Sequence, residues 1–289
     1  MNPQELMLQS SPACVLAGKV TLVLPSEFEK LVGRDITGCH LFILVSQGKL
    51  QVVVNGKEHE MPECSLLDMM DWADFRVLHA SADLRAYCLL PGREFTNESL
   101  ANFKPCPDSY LVNRFYSPVL SLSREECEIL ERQFLLLASA LGNPTHCYRQ
   151  ELACVYFKSF MLELGNIAFA RLKGKNALPS ALSKRDVVMV SFIRLVRQHF
   201  RTEHLVDFYA NELGISSKHL SRIIKEVMGK TPHDVICHEL IQYAMTLLKA
   251  DKFSIQGIAA DLHFSDQASF CKFFKKWTGM TPGEYRVRN

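Results

Sequence analysis

Two clusters of side chains in the last third of the chain have the types and spacing to hold a polyanion. One is Ser217, Lys218, Ser221, Arg222 and Lys225; the other is Gln267, Ala268, Cys271, Lys272, Lys275 and Lys276. Within each cluster the positions recur three and four residues apart, which gathers them on one side of a helix. Lysine neutralises phosphate charge without reading sequence, whereas arginine pairs bidentately with guanine and glutamine with adenine. A single basic residue on an exposed helix is often merely solvated. Matched positions in two clusters weigh against that bland reading.

Other chemistries find less support. His40, His59 and His79 could in principle be gathered as three metal ligands, but no His-x-His occurs anywhere, and three unrelated histidines is the preferred reading. No metal and no cofactor are therefore expected. The ten cysteines form no Cys-x-x-Cys and no regular framework, so they read as reduced, mostly buried thiols.

The elements that must position the two clusters are written twice. The first copy runs Val206-Asp-Phe-Tyr-Ala210-Asn-Glu-Leu213-Gly-Ile215-Ser216, then Leu220 to Lys225, then Gly229-Lys-Thr-Pro232. The second runs Ile255-Gln-Gly-Ile-Ala259-Ala-Asp-Leu262-His-Phe264-Ser265, then Phe270 to Lys275, then Gly279-Met-Thr-Pro282. The offset is 49 residues up to the serines and 50 afterwards, so one residue is inserted in the second turn. In each copy a short helix (Val206 to Glu212, Ile255 to Asp261) precedes a turn, and Ser216 or Ser265 is placed to cap a second helix. That helix buries Leu220, Ile223, Ile224 and Val227, or Phe270, Phe273, Phe274 and Trp277, as one stripe. Gly229 and Gly279 stop it, and Thr231-Pro232 and Thr281-Pro282 start the next helix. Helix, tight turn and amphipathic helix with a basic outer face make a helix-turn-helix.

Residues 183–289 resemble the DNA-binding domain of the AraC family of bacterial transcription regulators, with units at about 203–228 and 252–278. The likeness rests on Ile258-Ala-Ala-Asp-Leu-His-Phe-Ser-Asp-Gln267, Ser269-Phe-Cys-Lys-Phe-Phe-Lys275 and Gly279-Met-Thr-Pro-Gly-Glu-Tyr-Arg286. A long helix from Pro232 to about Ala250 would join the units. His263 stands where the family usually has glycine, so that turn is either strained or reached through a tolerated left-handed residue. Leu240 stands where arginine is common. The resemblance implies double-stranded DNA as partner, RNA polymerase as a second partner, a homodimer and a small-molecule effector.

Charge agrees with this division: residues 184–289 carry 16 Lys+Arg against 11 Asp+Glu, while the remainder carries 17 against 20. Upstream, residues 39–90 read as short strands. Leu41 to Val45 and Leu50 to Val54 flank Gln47-Gly48, and Asn55-Gly56 is a strong hairpin signal. Cys64 to Met70, Phe75 to His79 and Leu84 to Leu90 continue the series. A small β-barrel resembling the cupin-like domain of many AraC-type regulators is expected over residues 1–115. From 116 to 178 the pattern turns helical. Ser123 to Glu126 is a capping box opening a helix to Leu141, and a longer helix follows from Thr145 to about Leu172. Gly174 to Pro179 reads as the linker, and Ser183 to Asp186 caps a helix with Val187, Val190, Ile193 and Val196 on its apolar face.

The expected fold is thus α+β: an N-terminal β-barrel with a helical dimerisation or linker segment, whose two helices could pack on a second subunit or only on their own barrel, and a C-terminal all-α domain with two helix-turn-helix units. No uninterrupted run of about 18 apolar residues and no signal pattern point to a cytoplasmic, non-membrane protein. The expected function is a DNA-binding regulator and not an enzyme. The alternatives are a cupin-type metalloenzyme, which lacks a recognisable ligand set, and a protein-binding scaffold, which the basic faces disfavour.

Overall fold

The structure, a computed structural model, describes residues 15–16, 19–71, 73–100, 107–173, 182–250 and 252–288. The chain divides into two compact units, Met1–Ala181 and Leu182–Asn289. The linker expected at Gly174 to Pro179 lies outside the described residues, as does Trp72.

The first unit holds β1 (Val15–Leu16), β2 (Val20–Val23), β3 (Asp35–Ile36), β4 (Leu41–Gln47), β5 (Leu50–Val54), β6 (Lys57–Met61), β7 (Ser65–Met69), β8 (Phe75–Ala80), β9 (Arg85–Pro91) and β10 (Val119–Ser121). One antiparallel sheet runs β1-β2-β9-β4-β7-β10, and a second runs β3-β8-β5-β6. Ile43, Val45, Leu67 and Cys88 from the first meet Leu50, Val52, Phe75 and Val77 from the second in a shared apolar core. The strands flanking Gly48 belong to different sheets, so the chain crosses between layers there. Gly48 has φ +78°, and a Cβ on it would stand 2.5 Å from the Ser81 Oγ. Asn55-Gly56 does turn a hairpin, pairing Val54 with Lys57, with φ 50° and 76°. Both residues are left-handed, as a two-residue hairpin loop requires.

The other face of the larger sheet is covered by α1 (Arg93–Ser99), α2 (Asp108–Tyr116), α3 (Arg124–Leu141) and α4 (Arg149–Lys173). Phe42 meets Phe160 edge-on at 5.0 Å, and Phe160 meets Phe134 at 5.1 Å. Phe95, Leu130, Phe157 and Leu164 complete this second core. The capping box at Ser123 forms with Glu126. The long helix, however, begins at Arg149 and not at Thr145. Residues 145–148 are held in turns, with the His146 carbonyl accepting the Arg149 amide and its Nδ1 accepting the Tyr148 amide. The sequence holds no uninterrupted run of about 18 apolar residues, yet Arg149–Arg171 is long and apolar enough, by composition, to cross a membrane. In this fold its buried side packs on the sheet.

One polar group sits inside this layer. Asp68 on β7 is buried and receives Tyr110 OH at 2.8 Å, both of its oxygens lie 2.7 Å from Arg114 Nη1, and His40 Nε2 is 2.8 Å away. Burial alone would raise the carboxyl, but the Arg114 charge and the His40 hydrogen bond outweigh it and hold Asp68 well below the usual carboxylate range. The cluster pins α2 to the sheet.

The second unit is helical: α5 (Lys184–His199), α6 (Val206–Glu212), α7 (Ser217–Met228), α8 (Pro232–Lys249), α9 (Ile255–Asp261), α10 (Gln267–Thr278) and α11 (Pro282–Arg288). Ser183 and Asp186 form a capping box at the start of α5. The buried stripe of α5 is Met189, Val190, Phe192 and Val196, whereas Val187 is 49% exposed, a correction to the expected face. The two large residues Met189 and Phe192 take the core-facing sites, and that rotates Val187 outward.

Candidate nucleic-acid interface

The two second helices, α7 and α10, have the same length and almost the same end chemistry. Each ends on a left-handed glycine, Gly229 at φ 71° and Gly279 at φ 79°, whose amide bonds the carbonyl four residues back. Threonine capping boxes then start the following helices, Thr231 with Asp234 and Thr281 with Glu284. The N-caps differ from expectation in one copy. Ser216 accepts the His219 amide at 3.2 Å as expected. In the second copy Asp266 is the cap, accepting the Ser269 amide at 2.7 Å, and Ser265 stands one residue outside, bonded to Asp266 and Ser269 side chains. The inserted residue lies before the helix, so the cap shifts with it. Asp266 is held below the usual carboxylate range, first by the Ser269 backbone hydrogen bond.

The preceding turns also match. Gly214 has φ 65° and its counterpart His263 has φ 52°, so of the two expected outcomes the turn takes the left-handed non-glycine residue. His263 is exposed, so its side chain needs no room in the core. Leu240 is buried in α8, an apolar tenant of the linking helix.

Helical geometry sorts the candidate residues by depth. Lys218, Arg222 and Lys225 are exposed along the middle of the outer face of α7, and Ala268, Lys272 and Lys275 take the same positions on α10. Ser221 and Cys271 flank this face, both half-buried. Ser217 is half-buried and bonds the Asp207 carboxylate of α6, which braces the turn. Gln267 is exposed at the first turn of α10, and Lys276 is exposed on the far flank, on the side of Cys237 in α8. Under the outer faces, Leu220, Ile223 and Ile224 are buried, as are Phe270 and Phe274; Val227, Phe273 and Trp277 are half-buried.

Two members of the first face escaped the sequence reading. His219 is exposed, with Nδ1 3.2 Å from Arg222 Nη2. Glu226 holds Arg185 of α5 at 3.1 Å and stands 3.9 Å from Arg222. Glu226 is the counterpart of Lys276, so this flank is acidic in one copy and basic in the other. Comparing the copies position by position would have revealed that difference.

For the metal alternative, His40 is bonded to Asp68, while His59 pairs with Val52 and His79 with Gln51, on either side of β5. Among the described residues no group of three His, Cys, Asp or Glu is placed to hold a metal ion.

Comparison with known proteins agrees with the C-terminal geometry. The profile of a family described as a helix-turn-helix domain matches residues 209–288. The probable transcription factor PqrA of Proteus vulgaris is 36% identical over 81 residues, covering 28% of this chain and 66% of that protein. The xylose operon regulatory protein of Escherichia coli K12 is 31% identical over 107 residues, covering 37% of this chain and 27% of that protein. The HTH-type regulator YtdP of Bacillus subtilis is 28% identical, covering 33% of this chain and 12% of that protein. This chain thus spans less than two thirds of the length of these relatives. Over most of its length it superposes on an apo ToxT variant of Vibrio cholerae with a TM-score of 0.45 and 12% identity, covering 93% and 97% of the two chains. An AraC-type DNA-binding domain from Chromobacterium violaceum superposes with a TM-score of 0.33 and 22% identity, covering 35% of this chain and 91% of that one. The duplicated helix-turn-helix of residues 209–288 therefore belongs to the AraC-type family of DNA-binding domains.

Proposed function

We propose that this chain is a sequence-specific transcriptional regulator of the AraC type, acting in the cytoplasm as a homodimer. The observation that carries the reading is the matched register of Lys218, Arg222 and Lys225 with Ala268, Lys272 and Lys275 on two solvent-facing helices. Each such helix fits the major groove with its N-terminal residues at base edges. Joined through α8, the two would occupy successive groove segments about 34 Å apart. Lys218, Ser221 and Arg222, then Gln267, Cys271 and Lys272, are the base-facing residues. Lys225, Lys275 and Lys276 lie further along and meet phosphates; Ser217 and Ala268 complete the contact surface.

In this reading residues 1–115 receive a small effector, residues 116–178 dimerise, and residues 183–289 bind double-stranded DNA beside RNA polymerase. Exposed Leu135 and Leu136 on α3, with Val155 and Leu162 on α4, support the dimerising role, since apolar side chains left exposed on a helical pair are available to a protein partner. The test is selection by the full-length chain from fragmented genomic DNA, followed by titration of a recovered site against its scrambled version. Recovered fragments sharing a common motif, bound with steep salt dependence, are expected. Equal affinity for matched and scrambled sites would overturn the sequence-specific reading.

A further inference from the structure

Cys64 and Cys127 are distant in the sequence, and the fold joins them. Cys64 occupies the turn between β6 and β7 with a left-handed φ of 56°, and its carbonyl accepts the Leu122 amide at 2.7 Å, just before the Ser123 cap of α3. Cys127 lies in the first turn of α3, and its Sγ is 3.9 Å from the carbonyl oxygen of Val45. Val45 is the cross-strand partner of Ser65, the residue after Cys64. Both cysteines contact the same apolar core, and the two thiols are near enough to act on one another.

The two thiols are unequal in a useful way. Cys127 is 2% exposed, and burial, then the neighbouring Cys64 thiol, push it up to about 12. Cys64 is only half-buried. The Arg124 guanidinium stands beside it, near the positive end of the 18-residue helix α3. The acidic groups in the same place are Glu63 and Glu128, each ion-paired to Arg124, and Glu131 near Cys127. Cys64 is therefore the thiol open to attack, and Cys127 the sheltered one beside it.

We propose that Cys64 and Cys127 form a reversible dithiol–disulfide pair, oxidised by hydroperoxides, that ties the β6–β7 turn to the start of α3. In the first step the Cys64 thiolate attacks the peroxide oxygen. The O–O bond breaks, a sulfenic acid forms, and with hydrogen peroxide the other oxygen leaves as water after taking a proton. In the second step the Cys127 sulfur attacks the sulfenic sulfur. The S–S bond forms, the S–O bond breaks, and the hydroxyl leaves as water with the Cys127 proton. Two thiols thus lose two electrons and two protons, and one hydrogen peroxide becomes two waters. A dithiol reductant reverses the change.

The experiment uses the reduced full-length chain, treated with hydrogen peroxide, blocked with N-ethylmaleimide under denaturing conditions, digested and mapped by mass spectrometry. The expected product is a Cys64 peptide linked to the Cys127 peptide, two hydrogens lighter than their sum and lost on treatment with dithiothreitol. Exposed Cys147 serves as the internal comparison and should not enter that link. Cys127→Ser should accumulate Cys64 sulfenic acid, captured by dimedone, and Cys64→Ser should leave Cys127 fully alkylatable. The proposal is overturned if both cysteines of the wild-type chain remain fully alkylatable while Cys147 oxidises, or if Cys64 links to another cysteine or another chain. The wild-type map decides the matter even if a serine variant does not fold.

Discussion

Arg222 does not wait on the surface unengaged: His219 lies 3.2 Å away and Glu226 3.9 Å away. Both neighbours are exposed, so the contacts are weak in water and orient the guanidinium more than they hold it. On that basis Arg222→Ala should cost about 1–3 kcal/mol on a matched site and relax the preference at one base pair. Lys275→Ala should weaken all sequences alike and lower the salt slope by about one. Titration of both variants on matched and scrambled DNA at two salt concentrations checks this, and an equal loss on both sites for Arg222→Ala would remove its role as a base reader. Asp68 makes a different case at the same scale, because its carboxylate is buried against Arg114. Asp68→Asn deprives the guanidinium of its carboxylate and should destabilise the first unit by about 3–5 kcal/mol in urea unfolding. The folded carboxyl is depressed, so its stabilisation is fully present above the unfolded value of about 4 and is lost as pH falls through the lower folded value. The gap between wild type and Asp68→Asn should therefore narrow only below about pH 4; a gap that closes nearer neutrality would mean that another group controls it.

At the scale of the element, the two helix-turn-helix copies are one design with one residue inserted. Because Asp266 and not Ser265 accepts the Ser269 amide, Asp266→Ala should cost about 1 kcal/mol and Ser265→Ala much less. Thermal unfolding of the two variants separates them, and the reverse order would put the cap back on the serine. The stops, the first cap and the apolar stripes of these helices were legible in sequence because each depends on residues within one or two turns; the second cap was expected one residue early, at Ser265. The starting residue of α4 was not, since nothing local forbids a helix from Thr145. There the turn at His146 and the bonds from Arg149 to the Leu141 and Val15 carbonyls decide. Nor was the outward rotation of Val187, which depends on what Met189 and Phe192 meet on the neighbouring helices. Strand β2 also escaped notice: Val20 to Val23 is buried on both faces, so it lacks the alternation that reveals a half-buried strand.

For the whole molecule, the exposed leucines of α3 and the exposed Val155 and Leu162 of α4 bear on assembly. A homodimer through this helical pair should fall to monomer on Leu136→Glu with Val155→Glu, measured by sedimentation at micromolar concentration. A wild-type chain that sediments as a monomer would refute the dimer, and a variant that remains dimeric would move the interface elsewhere. Both substitutions lie on exposed positions, so they leave the two cores of the first unit in place.

The sequence by itself determined the C-terminal architecture, the glycine stops and the face of each second helix that looks outward, because helical periodicity and C-capping are short-range. It also placed the hairpin at Asn55-Gly56, where two adjacent residues supply the left-handed conformations the turn needs. The tertiary structure alone decided which sheet each strand joins, and so sent the chain from one layer to the other at Gly48. It alone brought His40, Tyr110 and Arg114 onto Asp68, and Cys64 against Cys127. Those groups meet through sheet register and the packing of helices on its face, and a pairing of that kind leaves no periodic mark along the chain.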